Sequence, residues 1–142
     1  MKIALTTNTK EIEIERNGEV VGSVYFDVTD TSIISRLRKA SEELNKQYES
    51  IKDKLDASDS PELVYQELEN IDQMIRDTID NAFQYKCSDI IFGEGFSFNS
   101  HNGVTLAEQF IRGAIKYIEE ETTKEAELSA KRQAKYTQKY RK

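Results

Sequence analysis

Two long runs of apolar residues at helical spacing constrain the fold of this chain more than any other feature of its sequence. The runs extend from Ile33 to Leu55 and from Val64 to Ala82, and apolar residues recur in each every three or four positions. Between them, Ser60 and the chain's only proline, Pro61, form an N-cap followed by proline at the first helical position. The pattern predicts helices over residues 30–56 and 60–87, paired as an antiparallel hairpin.

A different periodicity precedes the first helix. Residues 11–16 alternate strictly between acidic and apolar side chains up to Arg16, Asn17-Gly18 is the preferred two-residue turn, and residues 19–28 return as a second strand. Residues 1–28 are therefore predicted to be a β region with an antiparallel hairpin. Met1–Leu5 is a candidate third strand. Since an isolated hairpin is only marginally stable in water, it must pack on the helices or pair with another chain.

Residues 88–104 contain three glycines and a polar run, which predicts a loop before a third helix over residues 105–130. Thr105-Leu106-Ala107-Glu108 is the capping-box pattern that opens this helix. The loop also carries a dense apolar cluster, which either completes the core or contacts a partner. The candidate contact residues are Ile90, Ile91, Phe92, Phe96 and Phe98.

The charge of the chain is distributed unevenly. Residues 131–142 carry six basic side chains and no acidic one, so removing them from the formal net charge of -6 leaves -12 on residues 1–130. The acidic body argues against nucleic acid as the main ligand, because phosphate contacts require a positive surface. Tyrosines interleave with the basic residues, as in some nucleic-acid binders, so this alternative stays open. The candidate electrostatic contacts are Lys131, Arg132, Lys135 and Lys139.

Residue types needed for catalysis or metal binding are scarce. His101 and Cys87 are the only histidine and cysteine, and together they are too few for a zinc site. Gly93-Glu94-Gly95 lacks the Lys-Ser or Lys-Thr that completes a phosphate loop. We therefore expect a protein without enzymatic activity, cofactor or metal. Without a long apolar run or a recognisable signal peptide, we also expect it to remain in the cytoplasm, away from membranes.

The order of these elements resembles that of a known family. The resemblance lies in a short β segment, two long acidic helices, the stretch from Cys87 to Gly95 and a capped helix at Thr105 with a charged end. In these features the chain resembles tail assembly chaperones of long-tailed phages and prophages of Gram-positive bacteria. The resemblance implies a bacterial host cell and a client, the tape-measure protein, whose apolar helices such chaperones hold while tail-tube subunits polymerise around it.

Together these features predict a single, mainly helical α+β domain over residues 1–130 with a basic C-terminal segment, residues 131–142. The expected function is that of a phage tail assembly chaperone that binds the tape-measure protein and self-associates, the free edge of the hairpin offering a route to strand addition. Two alternatives remain. One is a structural phage or prophage component such as a scaffold or minor tail subunit, and the other is a nucleic-acid-associated regulator that uses the basic segment.

Overall fold

A computed structural model of the chain describes residues 1–5, 7–57 and 60–140. The fold is α+β and mainly helical, with an N-terminal antiparallel hairpin against a helical body, which confirms the predicted fold class. In chain order the elements are β1 (Thr9–Arg16), β2 (Glu19–Asp27), α1 (Ile33–Ala57), α2 (Pro61–Phe83), α3 (Ser88–Phe92), β3 (Ser100–His101), β4 (Val104–Thr105) and α4 (Leu106–Tyr140).

The hairpin of β1 and β2 follows the predicted alternation. Asn17 and Gly18 adopt positive φ angles of 53° and 84°, which the tight turn requires. Ile14 and Val24 point into the core. Residues 1–5 are exposed and lie in no strand, so the candidate third strand of the sequence prediction is not formed within the described chain. The described sheet at the N-terminus therefore has two strands.

Helices α1 and α2 pack against each other through their apolar stripes, as their periodicity predicts. Leu37 and Leu44 of α1 and Ile75 and Ile79 of α2 are among the most deeply buried side chains. The second helix ends at Phe83, four residues before its predicted end at residue 87, because Gln84 adopts a left-handed conformation with φ of 65°. The chain therefore turns away from the axis of α2 at this point.

The predicted loop over residues 88–104 is more ordered than its glycine content suggests. It contains the short helix α3, followed by a small hairpin of β3 and β4 joined at Asn102 and Gly103. The loop prediction was therefore wrong for these parts of the segment. Ser88 and Ser97 of this segment donate hydrogen bonds to carboxylates of α2, a pairing that glycine content does not indicate.

Helix α4 has two parts with different environments. Its first part contributes Ala107, Ile111, Ala114 and Ile118 to the core, at spacings of three and four residues. Beyond Ile118 no described residue of α4 is buried, and the helix continues to Tyr140 without the predicted change at residue 130. At 1.5 Å per residue it is about 52 Å long. None of the described helices has a stretch both long and apolar enough to cross a bilayer.

Arg36 ties the start of α1 to the end of α2. Its Nε donates to the carbonyl oxygen of Ala82 at 2.8 Å, and its Nη2 donates to Asp30 Oδ2 at 2.7 Å. Asp30 also accepts hydrogen bonds from the backbone N–H and the hydroxyl of Ser32. The hydrogen bond from Arg36, followed by that from Ser32, lowers the pKa of Asp30 to about 2. This carboxylate therefore stabilises the folded chain most when it is ionised.

Replacing Asp30 with asparagine tests this contribution. Because the folded pKa lies below the ordinary value of 3.8, the stabilisation is complete above that value and is lost as the pH falls towards about 2. We expect Asp30→Asn to lower the free energy of unfolding by up to about 1 kcal/mol at neutral pH, since the group is partly exposed. In urea titrations at several pH values, the difference in the free energy of unfolding between variant and wild type should disappear below about pH 4. A gap that stays constant over this range contradicts the assignment, and Asp53→Asn, an exposed site on α1, is the control.

Candidate partner-binding surfaces

The structure separates the five apolar residues of the candidate contact cluster. Ile91 and Phe92 are 5% and 2% exposed and belong to the core, so the expected contact cluster is not an exposed surface at these two positions. Their burial follows from α3, which turns this pair inwards. Ile90 is on the opposite side, 37% exposed, and its Cγ2 lies so close to Gly22 that a Cβ there would come within 2.6 Å of it. Phe96 and Phe98 are half-buried.

The segment that carries these residues is held by a buried cation on α2. Arg76 is 7% exposed, and its Nη2 donates to the carbonyl oxygens of Gly93 at 2.8 Å and Gly95 at 2.7 Å. Its Nε donates to Asp72 at 2.9 Å and its Nη1 to Asp89 at 2.7 Å. A buried guanidinium needs such partners, since a charge left unpaired in the interior is strongly unfavourable. Arg76 therefore fixes the path of residues 89–95.

Two carboxylates on the same face of α2 extend this attachment. Asp72 Oδ1 accepts hydrogen bonds from the backbone N–H and the hydroxyl of Ser97, at 2.6 and 2.7 Å. Asp80 Oδ1 accepts from the backbone N–H groups of Cys87 and Ser88, at 2.9 and 2.7 Å, and so satisfies amides at the start of α3. We call Asp72, Arg76 and Asp80 the α2 clamp.

Sequence reasoning missed the α2 clamp, although a signal for it exists. Its three residues are spaced by four, so they lie on one face of the helix. Each directly follows a core isoleucine (Ile71, Ile75 and Ile79), and is thereby placed at the edge of the apolar stripe. Charged residues at that edge are half-excluded from water and need partners from another element.

An aromatic surface lies next to the clamped segment and consists of Tyr65, Phe96 and Phe98. The rings of Phe96 and Phe98 stack, with centroids 4.9 Å apart and an interplanar angle of 14°. Tyr65 of α2 approaches Phe96 with a centroid distance of 6.0 Å and remains 56% exposed. Phe98 also packs against the core, whereas the ring contacts of Phe96 are with Tyr65 and Phe98. This surface offers a rigid apolar contact to a partner.

The basic segment is the second candidate contact surface. Residues 131–140 continue α4, and the side chains of Lys131, Arg132 and Lys135 are exposed on it. Lys139 lies in the helix, but its side chain is outside the described residues, as are Arg141 and Lys142 entirely. The described cations thus extend from a helix that has left the core.

An apolar groove of about 350 Å³ separates β1 from the first part of α4. Ile91 and Phe92, which the sequence assigned to partner contact, lie at its base. Half-buried Ile12, Leu106 and Phe110 line it. Gly113 also lines the groove, and a Cβ built on it meets no atom within 4 Å, so the groove is open along this stretch of α4.

The chain's single histidine and single cysteine lie in different surroundings. His101 is exposed in β3, while Cys87 is 1% exposed. Burial, reinforced by the neighbouring Asp80, raises the pKa of the Cys87 thiol to about 12, which makes it a poor nucleophile. In the described part of the chain, no three His, Cys, Asp or Glu side chains are grouped so that they could hold a metal ion.

Comparison with family models, with curated proteins and with solved structures finds no significant match for this chain.

Removing the buried cation should release the clamped segment. We expect Arg76→Leu to lower the free energy of unfolding by about 3 kcal/mol, because Asp72 Oδ2 and the carbonyl oxygens of Gly93 and Gly95 lose the guanidinium that donates to them. Arg112→Leu is the matched control, since Arg112 is exposed and pairs with Glu108 on the same helix, a contact that contributes less than about 0.5 kcal/mol. Denaturant unfolding measures both variants, and limited proteolysis should cleave Arg76→Leu first within residues 84–105. Equal stability of the two variants contradicts the role given to Arg76.

Proposed function

We propose that this protein is a non-enzymatic phage tail assembly chaperone that binds apolar helical segments of the tape-measure protein. The observation that carries the proposal is the aromatic surface, in which Phe96 stacks on Phe98 and borders exposed Tyr65. Aromatic side chains contribute large contact areas at low entropic cost and are frequent energetic centres of protein interfaces.

The support beneath the aromatic surface strengthens the proposal. Residues 93–97 are bonded to Arg76 and Asp72, and Phe98 packs on the core, so the rings are held before a partner arrives. A surface ordered in advance loses less conformational entropy on binding. The resemblance of the chain to tail assembly chaperones supplies the class of client, and an apolar client helix is a fitting ligand for exposed aromatic rings.

The basic segment is the second element of the proposed interaction. Its described cations, Lys131, Arg132 and Lys135, are exposed, and the rest of the chain is acidic. Exposed charges of this kind increase association rates and select complementary partners more than they increase affinity. In the proposed function the aromatic surface therefore holds the client, and the basic segment directs it by contact with an acidic region.

Serine substitutions at the two stacked rings separate binding from stability. Phe96→Ser should lower the free energy of unfolding by about 1 kcal/mol, the order of an aromatic pair. Phe98→Ser should lower it by about 2 kcal/mol, because that ring is half-buried against the core. The tagged protein is then used for an affinity pull-down from the source cells under prophage-inducing conditions, and the recovered proteins are identified by mass spectrometry. The wild-type pull-down should contain a very long, helix-rich tail protein. The Phe96→Ser pull-down should lack it.

The control for this experiment is Val20→Ser, which removes an exposed apolar side chain near the start of β2. It should recover the tail protein as wild type does. If Phe96→Ser also recovers it at the wild-type level, the aromatic surface is not the client contact. If wild type recovers no such protein and is found in purified phage particles instead, the protein is a structural component.

The exposed cations of α4 favour nucleic-acid binding as a second candidate function. In that case wild type shifts DNA or RNA in a gel at low salt, and its affinity falls steeply as salt is raised. The triple variant Lys131→Glu, Arg132→Glu, Lys135→Glu should abolish the shift without unfolding the chain, since these side chains are exposed. The same change at Lys39, Lys46 and Lys52 of α1 is the control. No shift of wild type at low salt rejects this candidate.

A further inference from the structure

The N-terminal residues have the pattern of a strand without a partner. Met1, Ile3 and Leu5 alternate with Lys2 and Ala4, so in an extended chain the three apolar side chains share one face. All five residues are exposed and lie in no element of secondary structure, with Ile3 at 75% and Leu5 at 86% exposure. Such an alternating pattern gains stability only when its apolar face is covered.

The hairpin presents a free edge that such a strand fits. Within the described residues β1 pairs with β2 alone, so its other edge has no strand beside it. The apolar groove between β1 and α4 lies along this edge, and residues 12–16 of β1 form one of its sides. A strand added here would place alternate side chains against Leu106 and Phe110. An unpaired edge over an apolar groove is the arrangement that accepts an additional strand.

Residues 1–5 match the free edge of β1 in length and in charge. Five extended residues span about 17 Å, the same as residues 12–16 of β1. The outward side chains of β1 include Glu11, Glu13 and Glu15, which are exposed and all negative. The outward side chain of Lys2 is positive. Pairing therefore places opposite charges side by side on the outer face of the sheet.

We propose that residues 1–5 of one copy of this chain add as a third strand to the free edge of β1 in a second copy, with Ile3 and Leu5 in its groove. Reciprocal exchange of these segments closes a dimer, and exchange in one direction extends a chain of copies. The proposal goes beyond the proposed function and uses a surface separate from Tyr65 and Phe96. Self-association and client binding can therefore fail independently.

The path of the chain just before β1 favours pairing of residues 1–5 with β1 of a second copy over pairing with β1 of their own chain. The carbonyl oxygen of Asn8 accepts a hydrogen bond from Val28 N–H at 3.0 Å, which continues the hairpin ladder, and its side chain donates to Glu125 at 3.3 Å. A return onto β1 of the same chain thus requires a reversal within residues 5–7. That sequence, Leu-Thr-Thr, contains no Gly, Pro, Asn, Asp or Ser, the residues that dominate tight turns.

Sedimentation velocity over a range of protein concentrations tests the proposal without any client. Wild type should form dimers or larger species, and Ile3→Asp/Leu5→Asp should weaken self-association by about tenfold or more. These side chains are exposed in the single chain, so the variant should fold with unchanged stability. Val20→Asp/Leu63→Asp adds the same charge at other exposed positions and should associate as wild type does. Wild type that stays monomeric up to about 1 mM overturns the proposal.

The groove side is tested at Gly113, where an added side chain meets no atom within 4 Å. Gly113→Gln should leave the fold intact, because glutamine favours a helix more than glycine does, and should weaken self-association as Ile3→Asp/Leu5→Asp does. Association that is unchanged in both Gly113→Gln and Ile3→Asp/Leu5→Asp shows another interface and overturns the proposal.

A cross-link identifies which chain donates the strand. Gln109 of α4 is exposed and lines the groove. Ile3→Cys protein mixed with Gln109→Cys protein and a short bismaleimide should therefore give a covalent dimer that contains one of each. Buried Cys87 should not compete for the reagent. A double variant, Ile3→Cys/Gln109→Cys, that cross-links only within single chains overturns the intermolecular assignment.

Discussion

The surface of this protein depends on one buried cation, Arg76, which needs hydrogen-bond acceptors around it. Arg76 sits on α2 among core isoleucines, where its guanidinium has left most of its hydration. The carboxylates of Asp72 and Asp89 and the carbonyl oxygens of Gly93 and Gly95 replace that hydration. Since each of those groups belongs to a definite backbone path, pairing the cation also determines where the chain runs after α2.

The backbone path that Arg76 fixes creates both apolar surfaces, the groove beside β1 and the aromatic surface. It leads through α3, which turns Ile91 and Phe92 to the base of the groove, and then returns to Ser97, leaving the rings at 96 and 98 near Tyr65. Phe92 lies 5.6 Å from the guanidinium carbon of Arg76, so the cation also contacts the core ring. Gly93, at a positive φ of 63°, lies against the guanidinium of Arg16, and a side chain there would meet it. The hairpin and the clamped segment thus depend on each other.

The sequence predicts the parts of the fold that depend on periodicity and local turn chemistry. The stripes of α1 and α2, the Asn17-Gly18 turn and the start of α4 near Thr105 each depend on neighbours within a few residues. The segment at 88–104 depends instead on bonds that span 8 to 25 residues, such as those of Asp80 with Ser88 and Asp72 with Ser97. The sequence shows that the side chains of this segment are polar, but it does not show which element supplies their hydrogen-bond partners. For the same reason, the apolar count at 90–98 could not separate buried Ile91 from exposed Ile90.

In the proposed strand exchange, the charge of β1 restricts which strands can pair with its free edge. A neutral, apolar edge would accept many strands and invite aggregation. Glu11, Glu13 and Glu15 give the outer face of β1 one sign of charge, so a strand with acidic side chains on that face is repelled. The groove beneath admits a strand only if its opposite face is apolar. A segment that is apolar on one face and basic on the other satisfies both conditions. Residues 1–5 have this pattern, and since each copy carries both the strand and the edge, the two are present at the same concentration wherever the protein is made.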